Sequence, residues 1–306
     1  MTKMRVAVPV TSLWTDPQSV RKVDRPAVRP HPDMRQWLDD MSREETIALC
    51  TEKRLQSQVL FGDDVIVDEQ RGTWSKVVVP SQASAKDSRG YPGWIPTAHL
   101  RAGLAIETST KVMVQSKFTM LWDTHRQPIF ALSFGTFLDY LTSEKDLVRV
   151  VTPIGEGWLR ADDVVFPARR DPLSGAAIVH NADRFMNLDY LWSGLSAYGY
   201  DCSGFSYSMM RTGGYLIPRD AGDQSKRGRR VSKSTLHPGD LLFFADDKGK
   251  GSVHHVGIYA GDGAMIHSQT PGSQVIRTEI AGTTYEEELC VCRRYWQEEG
   301  EGDGEK

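Results

Sequence analysis

The chain has 306 residues, of which 40% are hydrophobic and 25% charged, as is typical of folded globular proteins with room for roughly two or three domains. Its formal net charge of −3 argues against a strongly basic surface for nucleic acid. No segment approaches the about 18 consecutive apolar residues of a membrane span, and residues 1–10 lack the apolar core of a secretory signal. We therefore expect a cytoplasmic protein that binds neither nucleic acid nor membrane. Its oligomeric state is left open.

The first domain is expected over residues 1–103. Apolar residues spaced by three or four positions predict helices over residues 33–41 and 44–54. From Ser57 the apolar period changes to two, in short runs separated by glycine-containing turns, which predicts the strands of a small β-barrel.

A second copy of this pattern is expected over residues 104–168. The barrel-like runs recur in the same order, and Gly93-Trp94-Ile95 is echoed by Gly157-Trp158-Leu159. Two tandem barrels are the simplest explanation of such a repeat. A proline-rich and arginine-rich stretch, residues 167–175, is the predicted linker to the next domain.

The third domain, residues 175–297, is expected to be α+β, with helices first and strands after them. A helix is predicted over residues 181–186. A second, amphipathic helix is predicted to follow Cys202 and to end at Gly213-Gly214. A thiol at a helix start feels the positive end of the helix dipole, so we expect the pKa of Cys202 to be lowered. The very polar residues 298–306 are predicted to be disordered.

Two histidines are predicted to meet on one hairpin. Residues 254–260 and 264–268 read as strands joined by Gly261-Asp262-Gly263. Because side chains alternate with period two, His255 and His267 should lie on one face. His254 should then point the opposite way, into a core.

The glycine at position 257 is expected to leave room above the strand on the face of His255. A thiol with two imidazoles predicts a cysteine nucleophile, its base and an orienting group. A zinc site is the alternative, although Cys202, His255 and His267 lack the closely spaced ligand pairs of most zinc sites. The other cysteines suggest no disulfide framework. No metal or cofactor is expected.

Five motifs and a final histidine then follow one another in a familiar order: Tyr190-Leu191-Trp192-Ser193-Gly194, Asp201-Cys202-Ser203-Gly204-Phe205, Pro218-Arg219-Asp220, Leu236-His237-Pro238-Gly239-Asp240-Leu241, His255-Val256-Gly257-Ile258-Tyr259, and His267. This region resembles the NlpC/p60 peptidoglycan cysteine peptidases, which have a papain-like core. The resemblance implies that Cys202 is the nucleophile, His255 the base and His267 the third polar residue. One departure is Ser193, which replaces a usual glycine.

The N-terminal part resembles the bacterial SH3-like (SH3b) barrels of one subgroup, the γ-D-glutamyl-L-diamino acid endopeptidases. Its local signature is Gly90-Tyr91-Pro92-Gly93-Trp94 with the Phe61-Gly62-Asp63 turn. The resemblance implies that Asp63 and Tyr91 hold the free amine of an N-terminal L-alanine. Asp63 stands where a glutamate is expected, and Ala221 stands where a serine is common. Asp63 could instead be a turn residue and Tyr91 a core residue.

Further substrate contacts are expected from Tyr190, Asp201, Ser203 and Asp220. Tyr190 could instead be a core residue, and the other three could be helix caps. The resemblance implies cleavage of the γ-D-glutamyl–diamino acid bond in murein peptides, in cell-wall recycling, with either diaminopimelate or lysine as the diamino acid. The alternatives are a hydrolase of intact wall and a non-catalytic peptide-binding protein.

Overall fold

The structure is a computed structural model that describes residues 2–103 and 110–297. The chain forms two compact units. The first comprises residues 1–170 together with 191–199, and the second comprises residues 171–190 together with 200–306. The segment predicted to be disordered, residues 298–306, lies outside the described residues, as does the expected start of the second barrel at residue 104.

The first unit begins with a seven-stranded antiparallel sheet of order β3-β2-β6-β5-β4-β1-β7. Its strands are β1 (Thr2–Val6), β2 (Val10–Trp14), β3 (Leu55–Leu60), β4 (Asp64–Arg71), β5 (Trp74–Val79), β6 (Tyr91–Pro96) and β7 (Leu100–Arg101). Alternate apolar side chains fill its core, including Leu13, Val59 and Val77.

Three helices lie between β2 and β3: α1 (Arg25–Val28), α2 (Met34–Asp40) and α3 (Arg43–Thr51). Asp33 caps α2, since its carboxylate accepts from the backbone N–H of Gln36. Ser42 and Glu45 form a reciprocal capping box at α3. Both helices predicted in this region are confirmed, each within a few residues of its expected bounds.

A second seven-stranded antiparallel sheet follows, of order β10-β9-β13-β12-β11-β8-β14. Its strands are β8 (Lys111–Val114), β9 (Phe118–Trp122), β10 (Pro128–Ser133), β11 (Phe137–Glu144), β12 (Leu147–Thr152), β13 (Gly155–Arg160) and β14 (Val164–Val165). Each strand occupies the same place in the order as the strand seven numbers before it. Trp94 pairs with Trp14 in the first sheet, and Trp158 pairs with Trp122 in the second. The predicted internal repeat is therefore present in the topology.

Residues 191–199 interrupt the second unit in sequence but belong to the first. They carry β15 (Leu195–Ser196), which pairs with β16 (Gly199–Tyr200). The Gln58 side-chain oxygen accepts from the Leu195 N–H at 2.9 Å and from the Ser196 hydroxyl at 2.8 Å. The backbone N–H of Ala197 donates to the Ser133 hydroxyl at 2.9 Å. Both sheets of the first unit thus hold this segment.

The serine at position 193 shows why a glycine is usual there. Its φ is +62°, in the left-handed region that glycine enters without steric cost, and the side chain is buried.

The second unit has its longer helices first and a six-stranded antiparallel sheet after them, which confirms the α+β prediction. Its helices are α4 (Gly175–Asp183), α5 (Cys202–Gly213), α6 (Ala221–Gln224), α7 (Asp246–Gly249) and α8 (Thr284–Glu288). Its strands are β17 (Arg229–Val231), β18 (Leu241–Ala245), β19 (Val253–Gly261), β20 (Ala264–Ser268), β21 (Val275–Glu279) and β22 (Leu289–Arg294). The sheet order is β17-β22-β18-β19-β20-β21.

Helix α4 begins earlier than the predicted helix over residues 181–186, and it ends at Asp183. Ser174 caps it by accepting from the Ala177 N–H. Gly175 allows a close approach, because a Cβ there would lie 2.0 Å from the Pro238 carbonyl oxygen. The Ser174 cap and this close packing, which the local sequence does not show, together define the helix start. Within the described part of the chain, no helix is both long and apolar enough to cross a membrane.

Candidate active site

Cys202 is the first residue of α5. Asp201 caps this helix, and its carboxylate accepts from the backbone N–H of Gly204 at 2.5 Å. The helix ends where Gly214 adopts a φ of +100° and donates its N–H to the last carbonyls. The predicted helix and its glycine end are confirmed.

Arg219 holds the Asp201 cap in place, and the sequence analysis did not single it out. Its guanidinium donates to both carboxylate oxygens of Asp201, at 3.1 and 2.9 Å, and to the Ser203 hydroxyl at 2.9 Å. The Arg219 side chain is 1% exposed. The side chains of Asp201 and Ser203 therefore already have protein partners, which fits the capping alternative. The only signal for Arg219 was its place in the Pro218-Arg219-Asp220 motif.

The two histidines meet on the predicted hairpin. Strands β19 and β20 are joined through Asp262 and Gly263, whose φ angles of +53° and +77° suit a tight hairpin turn. His255 Nε2 lies 2.6 Å from His267 Nδ1. Both rings are buried, at 5% and 0% exposure. The prediction that they are neighbours on one face is confirmed.

The thiol lies next to the strand that carries the first of these histidines. Helix α5 packs against β19, and the backbone N–H of Val256, the residue after His255, hydrogen bonds to the Cys202 sulfur. Since Nε2 of His255 is engaged by His267, Nδ1 is the nitrogen that remains for the thiol. Cys202 is half-buried as a residue, although its sulfur is enclosed by protein.

The pKa of Cys202 is raised, not lowered as the helix-start argument predicted. Burial raises this pKa to about 12, and the Asp201 carboxylate adds to the shift. The backbone N–H groups of Val256 and Ser203 and the charge of Arg219 oppose it without overcoming it. The prediction failed because sequence shows a helix start but not how completely the sulfur is surrounded by protein. Burial therefore favours the neutral thiol over the thiolate in the free enzyme.

Burial acts on the imidazoles in the direction that keeps them neutral. It places the pKa of His255 well below 6.5, and the neighbouring His267 and His254 add to this shift. It lowers the pKa of His267 to about 4. At neutral pH the site therefore consists of a thiol and two uncharged rings, one of which can act as a base.

Tyr285 on α8 covers the two histidines. Its ring centroid lies 5.5 Å from that of His255 and 5.2 Å from that of His267. Its hydroxyl interacts with the side chain of Gln269. No local motif marks this tyrosine, because it reaches the site from a helix that follows the hairpin by many residues. It shields the imidazole pair from water and thereby supports their lowered pKa values.

Two details of the predicted hairpin are wrong. His254 is exposed and not in a core, and its Nε2 lies 3.4 Å from a Glu288 carboxylate oxygen. It lies near the start of β19, where that face of the sheet meets acidic surface residues. The space above Gly257 is filled, since a Cβ there would lie 2.5 Å from the Met265 sulfur.

Two other predicted substrate-binding residues lie in the same unit as Cys202. Tyr190 is 5% exposed, its N–H donates to the Ser273 carbonyl, and it forms a bridge to Tyr200. Asp220 is the residue before α6 and makes no side-chain cap hydrogen bond there.

The remaining two lie in the first unit. Asp63 is 8% exposed, and its carboxylate accepts from the Leu60 N–H at 3.3 Å, as a turn residue would. Tyr91 packs in the core of the first sheet, and its hydroxyl is bonded to the Lys86 ammonium. The contacts of both residues match the turn and core alternatives, and their role toward substrate stays a prediction.

Over residues 2–103 and 110–297, no three His, Cys, Asp or Glu side chains are grouped so as to hold a metal ion. None of the four cysteines, at positions 50, 202, 290 and 292, is part of a disulfide bond.

Known proteins resemble this chain over nearly its whole length. The γ-D-glutamyl-L-lysine dipeptidyl-peptidase of Bacillus subtilis (strain 168) is 41% identical over 289 residues, which is 94% of this chain and 97% of that protein. A protein of the same name from Bacillus cereus is 35% identical and covers 96% of this chain and 91% of its own length. Residues 187–294 match the NlpC/P60 family, and residues 114–166 match the YKFC SH3b2 domain.

The chain belongs to the NlpC/P60 family. A crystal structure of an NlpC/P60 family protein from Bacillus cereus ATCC 10987 superposes on it with a TM-score of 0.91, at 35% identity, covering 96% of this chain and 99% of that one. NlpC/P60 proteins are cysteine peptidases, so this chain is an enzyme of that class with SH3b domains before the catalytic domain. The family resemblance and the fold class that were predicted from the sequence motifs are confirmed.

Proposed function

We propose that the protein hydrolyses the γ-D-glutamyl–diamino acid bond of murein peptides that carry a free N-terminal L-alanine. The observation that carries the proposal is the grouping of Cys202 with the His255–His267 pair. The substrate class is taken from the two relatives named γ-D-glutamyl-L-lysine dipeptidyl-peptidase, which match almost the entire chain.

The reaction begins with the neutral thiol. As the Cys202 sulfur attacks the γ-carbonyl carbon, its proton passes to Nδ1 of His255, so that a free thiolate need not exist beforehand. The imidazolium that forms is stabilised through its Nε2–H, which donates to Nδ1 of His267. The carbonyl oxygen becomes an oxyanion, and the backbone N–H of Cys202 at the start of α5 is positioned to donate to it.

The intermediate then collapses. The bond between the carbonyl carbon and the diamino acid nitrogen breaks, and His255 returns its proton to the leaving amine. The L-Ala-D-Glu acyl group is left on the sulfur as a thioester. Water, deprotonated by His255, attacks this thioester and releases the dipeptide and the thiol.

In this proposal the amine and the glutamyl part of the substrate are bound by different residues. Asp63 pairs with the ammonium of the L-alanine, and the Tyr91 hydroxyl lies in the same subsite. The carboxylate of Asp63 is buried, so it attracts a positively charged amine more strongly than an acylated nitrogen, which carries no charge. Tyr190, Asp220 and the backbone around Asp201 and Ser203 contact the glutamyl part.

A requirement for a free amine would restrict the enzyme to peptides that have been released from the wall. In intact wall the L-alanine nitrogen is in amide linkage to the muramyl lactyl group, so the enzyme acts on released peptides. We therefore propose that it works in the cytoplasm, in recycling of wall peptides. Action on intact wall is the rival, and it predicts no preference for the free amine.

The test is product identification by mass spectrometry. L-Ala-γ-D-Glu-diaminopimelate, the same peptide ending in lysine, and the N-acetylated form of each are incubated with the enzyme. We expect the free diamino acid and L-Ala-D-Glu from the unblocked peptides, and little product from the acetylated ones. Cleavage between L-alanine and D-glutamate, or no cleavage at all, would refute the proposed bond. Equal turnover of acetylated and free peptides would favour the intact-wall rival.

A further inference from the structure

The second imidazole of the site has a hydrogen-bond partner beyond the histidine pair. Thr278 on β21 places its hydroxyl oxygen 2.9 Å from His267 Nε2. The register explains the contact. Thr278 lies opposite Met265, and Met265 and His267 share one face of β20 because side chains alternate. The threonine therefore lies on the same face of the sheet as both histidines and is diagonal to His267.

Hydrogen bonds connect His255 to His267 and His267 to Thr278. The direction in which these bonds donate decides which nitrogen of His255 can accept a proton. A neutral imidazole carries one N–H and one lone pair. If Thr278 accepts from His267 Nε2–H, then His267 Nδ1 carries a lone pair and accepts from His255 Nε2–H. That arrangement leaves a lone pair on His255 Nδ1, the nitrogen available to the thiol.

The reverse direction disables the site. If the threonine hydroxyl donated to His267 Nε2, the proton of His267 would lie on Nδ1 and would point at His255 Nε2. His255 would then hold its own proton on Nδ1, where it could not receive one from Cys202. Both rings are buried, so solvent does not readily exchange one arrangement for the other.

We propose that Thr278 is a positioning residue that acts as the acceptor for His267 Nε2–H and so fixes the tautomers of both histidines. This inference rests on the proposed function, in which His255 Nδ1 is the base. Thr278 touches neither the substrate nor the sulfur in this account, and it acts only through His267. A hydroxyl serves this purpose without adding a charge beside two neutral rings.

The experiment compares Thr278→Val, which keeps the shape and removes the acceptor, with Thr278→Ser, which keeps the hydroxyl. We expect the valine variant to lose roughly tenfold in kcat with KM unchanged, since the wrong tautomer blocks a base without altering substrate binding. The serine variant should regain most of the wild-type kcat. Thr235→Val, an exposed threonine of the same unit, is the matched control and should turn over normally.

The tautomer itself is read by ¹⁵N NMR of histidine-labelled enzyme, with the His267 signals assigned by their loss in His267→Gln. In the wild type, Nδ1 of His267 should appear as a lone-pair nitrogen and Nε2 as a protonated one, and Thr278→Val should mix the two. Unchanged nitrogen signals in Thr278→Val would overturn the inference even if kcat fell, because the valine would then act through packing. A serine variant as slow as the valine variant would overturn it too.

The NMR measurement also separates this inference from the proposed function. It can be made on the Cys202→Ala enzyme, which has no nucleophile. Absence of peptide cleavage by the wild type would refute the proposed function, whereas the nitrogen signals would still report whether Thr278 sets the tautomer.

Discussion

The guanidinium of Arg219 donates hydrogen bonds to both carboxylate oxygens of Asp201, the residue immediately before Cys202. This ion pair is almost fully buried. Asp201 in turn caps α5. The pair therefore connects the position of the sulfur to the loop that leads into α6. A buried pair of this kind is costly to break from one side only, because the remaining charge has no partner.

Arg219→Leu should destabilise the second unit by about 3–5 kcal/mol, as expected when one member of a buried ion pair is removed. Denaturant unfolding followed by a probe in the second unit measures the loss. Lys248→Ala is the matched control, since it breaks an exposed pair with Glu287 and should cost about 1 kcal/mol or less. Equal stability of Arg219→Leu and Lys248→Ala would show that the buried pair does not hold the α5 cap.

The pH profile of kcat/KM should stay flat on the acid side to about pH 5. Activity requires neutral imidazoles, and burial places the pKa of His255 well below 6.5 and that of His267 at about 4. Protonation therefore removes the base only as the pH falls through these lowered values. Above about pH 8 the rate should fall, because the substrate amine loses the proton that pairs with Asp63. A half-maximal rate near pH 6.5 on the acid side would contradict neutral, buried imidazoles.

Alkylation of Cys202 should be slow at neutral pH and should accelerate as the pH rises. The thiolate is the species that reacts with iodoacetamide, and the pKa of Cys202 is raised to about 12. Peptide mapping after timed alkylation gives the rate, with the partly exposed Cys50 as an internal comparison. A rate for Cys202 that is fast and constant between about pH 5 and pH 8 would instead indicate a preformed thiolate.

Local patterns predicted the parts of the site that depend on local structure. The alternation of residues 254–260 and 264–268 with an Asp-Gly turn is enough to bring His255 next to His267. The apolar spacing after Cys202 and the glycine at position 214 are enough to define α5. The repeated Gly-Trp motif is enough to indicate two related sheets.

Contacts between distant segments could not be predicted in this way. Arg219, Thr278 and Tyr285 reach the site from separate segments, and their role depends on three-dimensional packing. The raised pKa of Cys202 has the same origin, since burial of the sulfur is a property of the folded unit. His254 was misplaced because alternation gives the face of a strand but not whether that face is covered at the strand's end.

Asp63→Asn should reduce the preference for a free amine over an N-acetylated amine by about a hundredfold, because the buried charge that attracts the ammonium is removed. The asparagine keeps an oxygen that can accept from the Leu60 N–H, so the turn is retained. Asp64→Asn is the neighbouring control, because Asp64 is exposed and pairs with Arg5. The ratio of kcat/KM for free and acetylated peptide measures the effect. An unchanged ratio in Asp63→Asn would place the amine subsite elsewhere.

The most direct test of the account is the rate at which Cys202→Ala releases the diamino acid from L-Ala-γ-D-Glu-diaminopimelate, measured beside the wild type and Cys290→Ala. If the Cys202 sulfur forms the thioester, Cys202→Ala should lose essentially all activity, while the fold and the rate of Cys290→Ala remain those of the wild type. His255→Ala should be nearly as inactive, and His267→Ala should retain measurable turnover, since an orienting group contributes less than the base. Turnover by a folded Cys202→Ala enzyme at the wild-type rate, or loss of wild-type activity on chelation of a stoichiometric metal, would contradict the account.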